Sequence, residues 1–234
     1  YEMSASLVGS EMCIRDSDIP AVAIVDPELM YSMPKGLTAA TGMDALTHAI
    51  ESYITPGAWV MSDMFELKAI EMIAQNLKAA VDNGKDVAAR EAMSQAQYIA
   101  GMGFSNVGLG IVHSMAHPLG AFYDTPHGVA NALLLPYVME YNAESPAAPK
   151  YIHIAKAMGV NTDGMTEAEG VKAAIEAVKA LSLSIGIPQK LHEINVKEED
   201  IPALAVAAFN DVCTGGNPRP TSVAEIEVLY RKAF

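Results

Sequence analysis

Basic residues are scarce in this sequence. Lys and Arg total 15 against 28 Asp and Glu, which gives a formal net charge of −13 over 234 residues. Binding to nucleic acid or to an anionic membrane surface depends on clustered Lys and Arg, so the composition argues against both partners. Charged residues make up 18 % of the chain and hydrophobic residues 51 %. A chain with so much apolar surface is expected to fold around a sizeable core and not to be disordered.

Cysteines and targeting signals are also scarce. Two cysteines are too few for a disulfide scaffold, and the first residues show no basic segment followed by an apolar run. We therefore expect a cytoplasmic protein. Residues 92–123 carry no Asp, Glu, Lys or Arg, but they include several Gln, Ser and His side chains and a Pro. A helix facing lipid would have to satisfy all these polar groups, so we expect two helices buried within a protein and not a membrane span.

The pattern along the chain is mainly helical. One short apolar run, Ala21 to Val25, predicts a buried strand between two prolines. Apolar residues near a 3.6-residue period predict helices from Asp63 to Val81 and from Val87 to about Met102. Two capping boxes, at Thr166 and at Ser222, predict the starts of two later helices.

The first 17 residues match nothing that follows, and their sequence resembles translated sequencing adaptor. We expect residues 1–17 to be a non-native or disordered tail and exclude them from fold reasoning. A lone strand cannot form a sheet by itself, so residues 18–33 are expected to be the remnant of an N-terminal α/β domain. Residues 34–234 then form a mainly α, all-helical domain.

The residues that carry chemistry fall in two segments. In GMDALTHAIESY, Asp44 and His48 are four residues apart, and on a helix this spacing places both side chains on one face. In GLGIVHSMAHPLGAFYDTPHG, His113 and His117 repeat the spacing and His127 follows. A carboxylate with several imidazoles suits Fe(II), Zn(II) or Mn(II). An Asp-x-x-x-His pair alone is also typical of a surface hydrogen bond or an N-cap, the His-x-x-x-His pair is the better metal signal, and the spacing does not establish that the two segments meet.

Three segments carry a family resemblance: LTAATGMDALTHAIESYIT, GMGFSNVGLGIVHSMAHPLGAFYDTPHGVANALLLPYVMEYN and DVCTGGNPR. With them, residues 18–234 closely resemble the iron-containing (group III) alcohol dehydrogenases. The resemblance implies the C-terminal all-helical metal-binding domain of the dehydroquinate synthase-like fold. It also implies hydride transfer between NAD(H) and a small alcohol or aldehyde, such as 1,2-propanediol or lactaldehyde, in an enzyme that is a homodimer or larger.

The resemblance also assigns roles to residues. The family's ferrous ion is held by one Asp and three His, which fall here on Asp44, His48, His113 and His127. His117 falls on a catalytic histidine beside the nicotinamide and the substrate. The substrate pocket is expected to be lined by Phe104, Leu109 and Cys213, although core packing is an equally good interpretation of these three.

One feature of the family is absent from the sequence. The family binds NAD through a GGGS-type phosphate loop in an N-terminal α/β domain, and the 234 residues contain no such loop. We therefore expect an N-terminally truncated chain that is inactive or nearly so by itself. A zinc-dependent relative, such as a glycerol dehydrogenase or a 3-dehydroquinate synthase relative, and a non-catalytic metal-binding helical fragment are the alternatives.

Overall fold

The computed structural model describes residues 22–234, and these residues form helices joined by short loops. Short 3-10 turns lie between several of the helices. The α-helices of the described chain are α1 (Lys35–Ile54), α2 (Val60–Asp82), α3 (Val87–Val107), α4 (Ile111–Tyr123), α5 (His127–Asn142), α6 (Tyr151–Ala157), α7 (Glu167–Ser184), α8 (Ile201–Phe209) and α9 (Val223–Ala233).

The predicted strand at Ala21 to Val25 is wrong where it can be examined. Ala21 lies outside the described residues, as does the predicted tail at 1–17, and none of the residues from 22 to 234 is in a β-strand. Val22 and Ile24 are 76 % and 89 % exposed. A strand needs the backbone of a neighbouring strand for its hydrogen bonds, and the described chain offers none.

The predicted helices are confirmed, with shifted ends. Helix α2 begins at Val60, three residues before the predicted start, because the Ser62 hydroxyl accepts the Trp59 N–H and caps the first turn. Helix α3 continues past Met102 to Val107 and ends where Gly108 adopts a φ of 85°. This left-handed conformation favours glycine and ends helices. The break at Gly108 divides residues 92–123 between α3 and α4, which confirms the predicted pair of helices.

Both capping residues act as predicted, with one difference. At the start of α7, Thr166 accepts the Glu169 N–H, and the Glu169 carboxylate accepts the Thr166 N–H in return. At the start of α9, Ser222 accepts the Glu225 N–H, but the Glu225 carboxylate accepts the Ser222 hydroxyl and not its N–H. The second box is therefore half formed.

Helix α1 lies at the centre of the fold and packs against α2, α3 and α5. It is buried along most of its length, including several of its polar residues. Its contact with α2 is close: a Cβ at Gly42 would lie 2.2 Å from Leu77 Cδ1. Polar side chains on this helix are therefore held inside the protein. None of the helices within residues 22–234 combines the length and hydropathy needed to cross a lipid bilayer.

Candidate metal centre

Three helices bring the predicted ligands together. Asp44 and His48 lie one turn apart on α1, His113 lies in the first turn of α4, and His127 is the first residue of α5. One side-chain ligand atom from each of these four residues lies within 4.8 Å of the other three. The structure thus brings together all four residues that the resemblance implied.

Individual distances define the cluster around the Asp44 carboxylate. Asp44 Oδ1 lies 3.6 Å from His127 Nε2 and 3.9 Å from His113 Nε2. The His48 and His113 rings stack with their centroids 4.6 Å apart. One carboxylate oxygen and three imidazole nitrogens at these separations form a donor set suited to a divalent transition metal.

The approach of α5 to α1 depends on Gly128. A Cβ at this position would lie 2.4 Å from the Ala40 carbonyl oxygen and 3.3 Å from Asp44 Cβ. Real Cβ atoms do not approach a backbone oxygen so closely, so only glycine allows the start of α5 to pack here. The adjacent His127 is thereby brought to Asp44.

The electrostatics of His48 fit a metal ligand. Burial and, to a lesser extent, the neighbouring His113 lower the pKa of His48 to about 3, while Asp44 opposes the shift. The ring is therefore neutral at neutral pH, the form in which imidazole binds metals. Its Nε2 is shielded from solvent and has no hydrogen-bond partner among residues 22–234. A buried polar atom without a partner is costly, and a cation in the cluster would satisfy it.

An amide links two of the candidate ligands. Asn131 is fully buried, and its Nδ2 donates to Asp44 Oδ1 at 2.6 Å and to His127 Nε2 at 2.9 Å. Asn131 lies one turn after His127 on α5, so both side chains share a helix face. This contact ties the carboxylate to the imidazole; because Nε2 has one lone pair, a metal ion bound by that atom would replace its hydrogen bond from Asn131.

His117 lies beside the cluster and outside its four ligands. Its ring stacks on His127 at 5.4 Å, and its Nδ1 donates to Asp211 Oδ2 at 2.7 Å. Burial alone would raise the pKa of Asp211, but the hydrogen bonds from His117 and from the Cys213 N–H hold it below its ordinary value. The Asp211 carboxylate therefore fixes the tautomer of His117 and leaves its Nε2 as an acceptor.

The three predicted pocket residues lie in different surroundings. Phe104 stacks on His48 at 4.5 Å and lines a cavity of about 430 Å³ that also borders Asp44. Cys213 is buried, and its sulfur groups with His117 and Asp211 within 4.8 Å. Leu109 does not line that cavity; it lies in the loop before α4, where a Cβ at Gly216 would lie 2.0 Å from its carbonyl oxygen.

Sequence reasoning missed three polar residues at this site: Glu51, Asn131 and Asp211. Glu51 and Asp211 both lie inside the segments that carried the resemblance, and each contacts a histidine. Asn131 follows His127 by four residues. The helical spacing of Glu51 from His48 and of Asn131 from His127 was a signal that could have identified these two residues, whereas Asp211 lies in a bend and offers no such spacing.

Comparison with known proteins gives consistent results. Residues 38–234 match the model of the Fe-containing alcohol dehydrogenase family, C-terminal. The chain is 57 % identical over 223 residues to lactaldehyde reductase from Escherichia coli K12, covering 95 % of this chain and 58 % of that protein. It is 46 % identical to the NAD-dependent methanol dehydrogenase of Bacillus methanolicus, and the match covers 92 % of this chain and 56 % of that protein.

Solved structures show the same likeness. The crystal structure of a 1,3-propanediol oxidoreductase superimposes with a TM-score of 0.91 at 47 % sequence identity, covering 93 % of this chain and 56 % of that one. The chain therefore spans slightly more than half the length of the relatives it matches.

Proposed function

The chain belongs to the Fe-containing alcohol dehydrogenase family, and from this premise we propose that it is the metal-binding part of an NAD(H)-linked alcohol dehydrogenase. The proposed reaction is hydride transfer between nicotinamide and a small alcohol or aldehyde, with 1,2-propanediol and lactaldehyde as the substrate pair. The observation that carries the proposal is the cluster of one carboxylate and three imidazoles, whose ligand atoms lie within 4.8 Å of one another.

The names of the relatives support the substrate pair and the cofactor in this proposal. The lactaldehyde reductase of Escherichia coli, at 57 % identity, supports the substrate pair. The NAD-dependent methanol dehydrogenase of Bacillus methanolicus supports NAD(H) as the cofactor. The metal-binding domain is proposed to comprise residues 34–234, with residues 18–33 assigned to an NAD-binding domain and residues 1–17 to a tail.

In the proposed site, Asp44, His48, His113 and His127 hold the metal ion. A divalent cation bound there would supply a Lewis acid that lowers the pKa of an alcohol and polarises a carbonyl group. The Asp44 carboxylate offsets part of the cation's charge, while the neutral His48 imidazole adds a donor without adding charge.

His117 is the proposed catalytic residue and the proposed contact to the nicotinamide. Its Nδ1 donates to Asp211, so its Nε2 can accept the proton that an alcohol loses and return it when an aldehyde is reduced. The adjacent Asp211 carboxylate stabilises the protonated ring. Phe104 stacks on the His48 ring and borders the cavity next to Asp44. With Leu109 and Cys213, it stays the proposed lining of the substrate pocket.

The proposed metal is Fe²⁺, with Zn²⁺ as its competitor. At a site of imidazole and carboxylate ligands, Zn²⁺ generally binds more tightly than Fe²⁺, whereas the family name specifies iron. Metal analysis after anaerobic purification distinguishes the two ions. Zinc bound in place of iron, in a protein that keeps full activity when its NAD-binding part is supplied, would contradict the assignment to iron.

Two experiments test the function. The first measures the metal bound by the 234-residue chain, which is expected to be one equivalent, and by Asp44→Ala/His127→Ala, which is expected to bind none. The matched control Asp163→Ala/His192→Ala changes the same residue types at exposed positions and is expected to bind one equivalent.

The second experiment tests the chemistry. The sequence holds no GGGS-type phosphate loop, so the chain by itself is expected to show no NADH-dependent turnover. Residues 34–234 are therefore exchanged into the lactaldehyde reductase of Escherichia coli in place of its matching segment. The chimaera is expected to reduce lactaldehyde with NADH, and its His117→Ala variant to be severely impaired. A folded, metal-loaded chimaera without activity would contradict the proposed function.

The cytoplasmic location and the assembly into a homodimer or larger oligomer stay predictions. Neither a nucleic acid nor a membrane is a proposed partner, because the excess of acidic residues disfavours both.

A further inference from the structure

Glu51 is a buried carboxylate at the junction of α1 and α4. It is only 2 % exposed and lies three residues after His48 on α1. Its Oε1 accepts the Val112 N–H at 2.7 Å, and its Oε2 lies 2.5 Å from His113 Nδ1. One side chain therefore contacts both the backbone of α4 and a candidate metal ligand on it.

The first contact gives a hydrogen-bond acceptor to a backbone N–H in the first turn of α4. The N-cap of this helix is Gly110, which has no side chain to accept a first-turn N–H, and such groups need partners when buried. Glu51 supplies the acceptor from another helix, and its negative charge is favourable at a helix N-terminus. A Cβ at Gly110 would lie 2.9 Å from Glu51 Oε1, so glycine leaves the room that this contact requires.

The second contact determines the state of the His113 ring. A carboxylate can only accept a hydrogen bond, so Nδ1 carries the proton and donates. His113 Nε2 is then the unprotonated nitrogen, and it is this atom that lies 3.9 Å from Asp44 Oδ1 in the cluster. A carboxylate that binds the far nitrogen of a metal-ligating histidine fixes its tautomer and orientation and makes the ring a stronger donor.

We propose that Glu51 is a positioning residue for the metal site: it holds His113 as the Nδ1–H tautomer, with Nε2 presented to the metal ion, and anchors α4 against α1. The proposal rests on the proposed function, because it requires that His113 is a ligand. Glu51 itself does not touch the metal ion or the substrate.

The substitution Glu51→Gln tests this role. The glutamine oxygen can still accept the Val112 N–H, but the amide NH₂ then faces His113 Nδ1. This nitrogen must become the acceptor, which moves the ring proton to Nε2 and blocks the donor atom. The affinity for Zn²⁺, measured by competition with a chromophoric chelator, is expected to fall about 10- to 100-fold.

Glu66→Gln is the matched control. Glu66 is fully buried on α2, so the control removes another buried carboxyl by the same chemical change. Its affinity for Zn²⁺ is expected to stay within twofold of that of the unmodified chain. A Glu51→Gln chain that is folded by circular dichroism and binds Zn²⁺ as tightly as the unmodified chain would overturn the proposal.

A second measurement needs no change at Glu51. In ¹⁵N-labelled, metal-free protein, the long-range ¹H–¹⁵N spectrum reports the tautomer of each imidazole, and His113 is assigned by the loss of its signals in His113→Asn. The Nδ1–H tautomer is expected, and an Nε2–H tautomer would overturn the role of Glu51 even if Glu51→Gln does not fold. If the unmodified chain binds no metal, the proposed function fails, whereas the tautomer of His113 still reports on Glu51 separately.

Discussion

Glu66 should make the stability of this protein fall as the pH rises from about 4.5 to about 8. Its side chain is fully buried on α2 against Gly103 of α3, where a Cβ would lie 1.9 Å from Glu66 Oε1. Neither carboxyl oxygen has a hydrogen-bond partner among residues 22–234. Burial and, to a lesser extent, the nearby Asp63 charge raise the pKa of Glu66 to about 8.

The direction of the effect follows from proton binding. The folded protein keeps the Glu66 proton up to about pH 8, whereas the unfolded chain loses it near pH 4.5. Between these values the unfolded state binds fewer protons, so the free energy of unfolding falls as the pH rises. At 1.36 kcal/mol per pH unit, the loss between pH 5 and pH 8 amounts to about 3–4 kcal/mol. The full stabilisation relative to the ionised state is present below about pH 4.5.

The substitution Glu66→Gln isolates this contribution, because glutamine has nearly the same shape and does not titrate. Urea unfolding of both proteins at pH 5, 6, 7 and 8, with a chelator present to exclude metal binding, gives the difference in stability at each pH. The difference is expected to shift in favour of Glu66→Gln by about 3–4 kcal/mol from pH 5 to pH 8.

The offset at pH 5 includes the cost of burying the amide, so only the change with pH tests the reasoning. Glu176→Gln, at a side chain that is 65 % exposed on α7, is expected to give curves parallel to those of the unmodified chain. Parallel curves for Glu66→Gln as well would refute the raised pKa.

Three further predictions concern packing and the site. Gly128→Ala is expected to destabilise the protein by about 1–3 kcal/mol in urea unfolding and to weaken Zn²⁺ binding, because the new Cβ overlaps a backbone carbonyl. Unchanged stability and affinity would contradict the close approach of α5 to α1. Asp211→Asn is expected to lower the lactaldehyde reduction of the chimaera at least tenfold without changing its metal content. The asparagine oxygen can keep the Cys213 N–H, so its NH₂ group faces His117 Nδ1 and favours the other tautomer of the ring. Loss of metal instead would assign Asp211 to metal binding. Leu77→Ala, at a fully buried side chain, is expected to lower the free energy of unfolding by about 2–5 kcal/mol. Leu183→Ala, at a side chain that is 66 % exposed, is expected to lower it by less than about 0.5 kcal/mol. Equal losses would contradict the packing of α1 on α2.

The helices could be predicted from the sequence because their signals are local. The periodicity of α2, the Gly108 that ends α3 and the Thr166 cap of α7 all act within a few residues. The strand at Ala21 to Val25 was mispredicted because strand formation is not local. A short apolar run becomes a strand only if another strand pairs with it, and that condition cannot be read from the run itself.

The site could be predicted only in part, because its assembly depends on contacts between helices. Helical spacing placed Asp44 with His48, but the meeting of α1 with α4 and α5 came from the family resemblance. The absence of a side chain at Gly128 allows the meeting of α1 with α5, and no local pattern indicates it. The contact between Asn131 and Asp44 was missed for the same reason, since the two residues lie on different helices.

A signal for the site was nevertheless present on α1. Asp44, His48 and Glu51 are spaced at i, i+4 and i+7, so they form one polar stripe on a helix that is otherwise largely buried and apolar. Burying such groups is costly unless each gains a partner. A polar stripe on the central helix of a domain therefore requires something for the stripe to bind. In this protein the stripe holds two candidate ligands and a carboxylate that contacts a third, so two turns of one helix contribute to most of the candidate metal centre.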